Sequence, residues 1–312
     1  MLSGRTGGSI VTDTAAVKIE QVSKSFGSVR AVRELDLVVP RGCVYGILGP
    51  NGAGKTTAIR MMMDIIAPDT GRIEVFGSDD LTAVKARIGY LPEERGLYRK
   101  MRVGDTLRYL GSIKGMTGAR LKRLVPERLE QVELGEWISA RVEELSKGMQ
   151  QKLQFLAATI CDPELLILDE PFAGLDPVNV EVLTQEVRRL QDQGCTILLS
   201  THMMAQAERL CDSVMLVHQG LKVLDGRVAD ILGRYDPRKV ILQTQEASPD
   251  VAGFPMVEAV ASQDLCMEVT LVEGSDPQDL LAETIKRYVV LRFEIKRPTL
   301  NEVFLARVSE ST

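Results

Sequence analysis

The chain has 312 residues, 45% of them apolar and 26% charged, with a net charge of -5, which is enough for a large core plus a second, smaller domain in ordinary globular proportions. An aromatic fraction of 4% supplies no base-stacking platform, and the acidic balance argues against nucleic acid as a partner, because backbone binding relies on clustered Lys and Arg. No run of about 18 apolar residues occurs, so no membrane span is predicted.

Taken in chain order, "MLSGRTGGSIVTDTA" lacks an apolar signal region, and residues 1–16 are predicted to be a flexible leader. From Val17, short β-branched runs alternate with helical patterns, which predicts α/β architecture with a largely parallel sheet. "VKIEQVSKSF" and "RELDLVVP" read as an opening antiparallel pair, and "CVYGIL" as a buried strand. "KTTAIRMMMDII" reads as a helix stopped by the turn "APDTG". Residues 97–160 are predicted to be mainly helical, ahead of the strand "ELLILD".

Strands follow at "CTILLS" and "SVMLVH", with a hairpin turning at Gln219 and Gly220. The pattern weakens near Tyr235, dividing a domain over 17–235 from a small α+β domain over 236–312. The latter contains "KVILQT", "MEVTLV", a helical "PQDLLAETIKRY", "VVLRFEI" and a last helix from Thr299. Between Arg95 and Arg123 nine basic residues stand against one acidic; this is either a set of solvated helix faces or a surface toward anionic lipid or a membrane partner. The five cysteines show neither CxxC pairing nor metal-ligand spacing, which predicts a reducing compartment.

Two motifs carry chemistry. "GPNGAGKTT" runs through Gly49, Pro50, Asn51, Gly52, Ala53, Gly54, Lys55, Thr56 and Thr57 and lies between a predicted strand and a predicted helix. It fits a phosphate-binding loop in which glycines let backbone N–H groups approach phosphate oxygens. Lys55 is expected to reach the β and γ phosphates, and the Thr56 hydroxyl to ligate Mg²⁺. "LLILDE" is an apolar strand ending in Asp169 and Glu170. Alternation would point the two carboxylates differently, one to the metal and the other to a water. Together the motifs specify an NTP hydrolase.

The order of elements, with a helical insertion between these motifs and "AGLD" and "STH" after them, resembles the ABC-type ATPases, the nucleotide-binding subunits of ATP-binding-cassette transporters. The resemblance covers Val17 to about Gly233. It implies a P-loop α/β core with an antiparallel β subdomain and a helical subdomain at about 97–160. It also implies the cofactors ATP and Mg²⁺. In such proteins the segment matching "LSKGMQ" contacts the γ-phosphate held by the other subunit of a head-to-tail dimer. Ser146 and Gly148 at a helix start suit a highly charged anion. By the same resemblance Phe26 stacks on adenine, the alternative being an ordinary core Phe. Asp176 lies on the loop across the dimer interface, and His202 is the switch histidine near the γ-phosphate.

Two segments depart from the family pattern. Lys147 and Met149 replace Gly and Gln in the signature, and Glu93 stands where a Gln commonly reaches Mg²⁺ and senses the membrane subunit. A carboxylate at Glu93 can also bind Mg²⁺, but it adds charge beside Asp169 and Glu170. "LPEERGLY", "LSKGMQQK" and "PTLNEVFL" resemble a bacterial branch that powers export. The implied protein is the ATPase subunit of such a transporter, working with a separate membrane permease and a second copy of itself at the cytoplasmic face of the cell membrane. Nucleic acid is not expected as a partner. The alternatives are a soluble ABC-type motor and a nucleotide-driven regulatory switch.

Overall fold

The computed structural model describes residues 15–94, 96–234, 238–246, 249–263, 266–296 and 298–310. Most of the expected leader and the expected boundary residue Tyr235 lie outside these. The described residues form two compact units, dividing between Asp225 and Gly226.

The first unit opens with β1 (Ala15–Phe26) and β2 (Val29–Pro40), which pair antiparallel, as their alternating burial requires. A third strand, β4 (Thr70–Val75), pairs with the far edge of β1. It begins inside the stretch expected to be a turn. The preceding helix α1 (Lys55–Met62) is shorter than its apolar pattern suggested, because Asp64 adopts φ 52° and turns the chain out of the helix. Ile65 is consequently exposed.

Behind this sheet lies a six-stranded sheet in the order β5-β6-β7-β3-β8-β9. Its members are β3 (Val44–Leu48), β5 (Ile88–Leu91), β6 (Leu165–Asp169), β7 (Thr196–Thr201), β8 (Ser213–His218) and β9 (Leu221–Arg227). Strands β3, β6 and β7 are buried along their whole length, which is why they read as unbroken apolar runs rather than alternations. β5, β6, β7, β3 and β8 run parallel. β8 turns into β9 through Gln219 (φ 48°) and Gly220 (φ 78°), the left-handed pair a two-residue hairpin needs. Ligands of parallel sheets gather beyond the carboxyl ends of the strands. Here the neighbours β6, β7 and β3 bring residues 169–170, 200–202 and 49–55 to one edge.

Between β5 and β6 the helices α3 (Val103–Ile113), α4 (Gly118–Gln131) and α5 (Lys147–Thr159) enclose their own core of Leu107, Val125, Leu129, Leu153 and Leu156. A short helix α2 (Leu81–Val84) precedes β5. After β6 come α6 (Pro177–Asp192) and α7 (Met204–Leu210).

The second unit begins before the weakening near Tyr235. Helix α8 (Val228–Gly233) packs with α10 (Leu300–Glu310) and so belongs with the chain that follows it. Its antiparallel sheet, in the order β11-β12-β10-β13, is built from β10 (Lys239–Thr244), β11 (Val257–Gln263), β12 (Cys266–Leu271) and β13 (Val290–Lys296). With α9 (Pro277–Arg287) it closes a core around Val240, Leu242, Phe254, Val269 and Leu280. The cysteines are free thiols. Burial pushes Cys43 up to about 11 and Cys195 up to about 12, so both stay protonated and unreactive at neutral pH.

Candidate functional site: a phosphate loop between two carboxylates

The loop from Gly49 to Gly54 leaves the buried end of β3 and feeds α1. Gly54 sits at φ 105°, and a Cβ there would stand 2.2 Å from the Ala31 carbonyl oxygen. Only glycine fits both that conformation and that approach. Gly54→Ala is expected to distort the loop and weaken ATP binding by at least about tenfold, as measured by fluorescent-nucleotide titration. Gly49 is constrained in the same way by the Val217 carbonyl, also 2.2 Å away.

A cavity of ≈ 570 Å³ opens over this loop. Asn51, Gly52, Ala53, Gly54, Lys55, Thr56 and Thr57 line it, together with Glu93, Glu170, residues 29–31 and Gln219. Lys55 is only 5% exposed. Its Nζ donates to the carbonyls of Gly49 (2.9 Å) and Pro50 (3.2 Å) and lies 3.3 Å from Glu170 Oε1. A buried cation with two carbonyls and a carboxylate around it is ready to exchange those partners for phosphate oxygens.

Asp169 and Glu170 do diverge, but strand alternation is only part of the reason. Asp169 is the last residue of β6 and fully buried; its Oδ1 accepts hydrogen bonds from Thr56 Oγ1 (3.3 Å) and from Ser200 Oγ. Its Oδ2 is buried without a hydrogen-bond partner. An orphaned carboxylate oxygen beside a threonine hydroxyl is the hard-oxygen donor set that suits Mg²⁺. Glu170 adopts φ 49°, a left-handed conformation rare for a long side chain. Its N–H donates to Ser200 O (3.1 Å) and Ser200 Oγ (3.3 Å), which holds the kink. The side chain thereby turns to Lys55, and its Oε2 lies 3.0 Å from Nδ1 of His202, a half-exposed residue just past β7. Ser200, which the motifs did not single out, thus pins both carboxylates.

Ser146 and Gly148 are not among the residues lining this cavity. Ser146 is exposed and caps α5, its Oγ accepting from Met149 N (3.2 Å). A Cβ on Gly148 would stand 2.8 Å from Asn179 Nδ2, and Asn179 is held by Asp176, the cap of α6. Those Asn179 hydrogen bonds, the backbone one foremost, hold the Asp176 carboxyl below the usual range. Phe26 is 50% exposed at the end of β1, opposite Val29 of the cavity lining, so it is no core residue.

Helix α5 also touches the loops that carry Glu93 and Glu170. Gln151 Nε2 donates to Pro171 O (3.0 Å), directly after Glu170. Gln154 Nε2 donates to the carbonyls of Pro92 and Glu94, on either side of Glu93 (3.2 Å each). Neither glutamine carried a signal in the sequence, because a Gln in an amphipathic helix reads as an ordinary polar position.

Residues 32–173 match the ABC transporter family, and residues 226–308 match the C-terminal domain of DrrA1-3-like ATP-binding proteins. The uncharacterised ABC transporter ATP-binding protein YhaQ of Bacillus subtilis (strain 168) is 36% identical over 290 residues, 93% of this chain and 97% of that protein. The Nod factor export ATP-binding protein I of Paraburkholderia xenovorans (strain LB400) is 34% identical over 93% of this chain and 96% of its own length. A solved ATP-binding subunit of an ABC transporter superposes with a TM-score of 0.65 at 32% identity, covering 70% of this chain and 92% of that one. A phosphate loop facing a buried lysine, an orphaned carboxylate oxygen and a histidine-bound glutamate is thus found on a chain alike to such proteins over nearly its whole length, and the chain belongs to the ATP-binding proteins of ABC transporters, as the subunit that binds and hydrolyses ATP.

Proposed function

We propose that two copies of this subunit close head to tail around two ATP·Mg²⁺ at the cytoplasmic face of the cell membrane and drive export through a separate permease. The observation that carries the dimer is the absence of Ser146 and Gly148 from the lining of the cavity around Lys55. An exposed serine hydroxyl at the positive end of a helix of 13 residues is an anion site, and in this reading the anion is the γ-phosphate bound by the other copy. Asp176, beside Gly148 through Asn179, lies at the same junction.

Within each composite site, Lys55 and the loop N–H groups bind the β and γ phosphates, and Phe26 stacks on the adenine. Glu170 orients and activates the attacking water, while His202 holds the Glu170 carboxylate in place. Thr56, Asp169 and Glu93 would hold Mg²⁺, which when bound neutralises charge on the phosphate oxygens. The residues named for this chemistry all belong to the first unit. Export is supported by likeness to proteins named for Nod factor export. No helix among the described residues is long and apolar enough to cross a membrane, so the pathway itself is assigned to the permease.

Mixing two inactive copies tests the composite site. One carries Glu170→Gln and the other Ser146→Arg. In a head-to-tail pair, one of the two sites recovers an intact Glu170 and an intact Ser146, so ATPase activity should return on mixing. If both motifs act within one chain, the mixture stays inactive and the dimer reading falls.

Glu93 is exposed on the cavity wall and binds the metal conditionally in this scheme. Glu93→Gln should raise the Mg²⁺ concentration giving half-maximal ATPase by about threefold, since a charge-assisted ligand becomes a neutral one. It should also alter stimulation by the permease. A Mg²⁺ titration and a permease-stimulated rate both matching the parent would remove Glu93 from the metal site.

A further inference from the structure

We infer that Gln154 is a positioning residue: it grips the backbone on both sides of Glu93 and thereby sets where that carboxylate stands in the nucleotide cavity. The inference rests on reading Glu93 as a metal ligand.

Past β5, residues 92–94 belong to neither helix nor strand. Outside helix and strand, the carbonyls of this segment have no ladder partner and need donors from elsewhere. Gln154 is 5% exposed, and the two N–H bonds of its amide serve the Pro92 and Glu94 carbonyls at 3.2 Å each. The Pro92 carbonyl belongs to the rigid peptide plane that carries the Glu93 nitrogen, and the Glu94 carbonyl anchors the chain one residue beyond. With both held, the Cα–Cβ bond of Glu93 has little freedom to swing.

The amide's other end tells against a role in stability alone. Gln154 Oε1 is buried without a hydrogen-bond partner, and an orphaned acceptor offsets much of what the two donated bonds contribute. Flipping the amide would aim that oxygen at two carbonyl oxygens, so the acceptors dictate its orientation. What the residue supplies is direction.

Its location gives that direction a use. Glu93 lines the nucleotide cavity, whereas Pro92 and Gln154 line a second cavity of ≈ 360 Å³ with Tyr90, Leu110 and Ile113. The gripped segment is the wall between them. Gln154 also lies about two turns along α5 from its cap Ser146. Any displacement of the Ser146 end relative to β5 therefore reaches Glu93 through these two hydrogen bonds, and Gln151 reaches the residue after Glu170 from the same helix.

The test titrates Mn²⁺, followed by electron paramagnetic resonance, into the full chain saturated with ATP in a Glu170→Gln background that prevents turnover. Gln154→Leu keeps the volume and removes the donors. It should weaken Mn²⁺ binding by up to about tenfold, the loss expected when the Glu93 carboxylate no longer reaches the metal as a charged ligand. Glu93→Ala should weaken it similarly, and the double variant should be no weaker than Glu93→Ala alone. Gln154→Leu weakening Mn²⁺ equally with and without Glu93 would mean general structural damage and overturn the inference. So would a Gln154→Leu affinity equal to the parent's while Glu93→Ala is impaired, and that result would leave the Glu93 reading standing. If Glu93→Ala itself has no effect, the metal-ligand reading fails first and takes this one with it.

Gln154→Glu provides a second arm should Gln154→Leu not fold. A protonated carboxyl can still donate one hydrogen bond, whereas the carboxylate faces two carbonyl oxygens. Burial raises the pKa of the introduced group, so Mn²⁺ affinity relative to the parent should be near normal below that pKa and be lost as pH rises through it. A ratio constant with pH would overturn the clamp.

Discussion

Glu170→Gln is expected to lower steady-state ATP hydrolysis by about 10²–10⁴-fold while leaving ATP bound and the two copies locked together. The site should survive the change. Lys55 keeps its hydrogen bonds to the Gly49 and Pro50 carbonyls, and a neutral amide can still meet His202. In the proposed mechanism two things are lost: the carboxylate that polarises water, and one negative charge that repels the triphosphate before it is cleaved. With hydrolysis stalled, nucleotide continues to stabilise the closed form by mass action. Size-exclusion chromatography under saturating ATP should show a dimer that reverts to monomer when nucleotide is removed. A monomer under saturating ATP would contradict the shared site, and hydrolysis at the parental rate would remove Glu170 from the chemistry.

Lys55→Ala should do more damage, because it breaks the same ion pair from the other side. Lys55 and Glu170 side chains are each 6% exposed, and Glu170 Oε1 makes no hydrogen bond to replace the lysine. Truncating one partner of a buried pair costs up to about 3–5 kcal/mol, here because the Glu170 carboxylate keeps only the half-exposed His202. Glu170→Gln lacks this penalty because the lysine has two carbonyls to fall back on. ATP affinity should fall by about a hundredfold or more once the buried cation is gone. In the nucleotide-free protein, adding Glu170→Gln to Lys55→Ala should restore most of the lost stability. The single tryptophan, Trp137, lies in the first unit, so denaturation followed by its fluorescence reports that unit alone. Equal stability of the single and double variants would show that the ion pair does not hold the empty site together.

Much of this molecule was legible before any coordinates. The phosphate loop, "LLILDE" and the buried strands are local features: a glycine-rich turn between strand and helix and unbroken apolar runs are dictated within a few residues. Ser146 was equally plain at a helix start, and it accepts the Met149 N–H as a cap does; that Asp176 caps α6 emerged only from the structure. Elements whose identity depends on a distant partner were harder to see. β4 starts inside a Thr-Gly stretch that reads as a turn and becomes a strand by pairing with β1. β5 has four residues and is a strand because β6 lies beside it. β11, "VEAVASQ", carries little apolar signal and pairs along β12.

The chemistry divides in the same way. From the order of its residues alone, this chain carries the groups to bind a nucleoside triphosphate and activate water against it, because those groups sit on loops whose shape is set locally by glycine, proline and strand ends. Their aim is another matter. The left-handed turn at Glu170 is held by Ser200, thirty residues away, the carbonyls on either side of Glu93 are held by Gln154 of α5, and Ser146 does not line its own chain's cavity. Hydrogen bonds and burial between segments far apart in the chain leave no periodicity in a sequence, so only the folded structure could decide them.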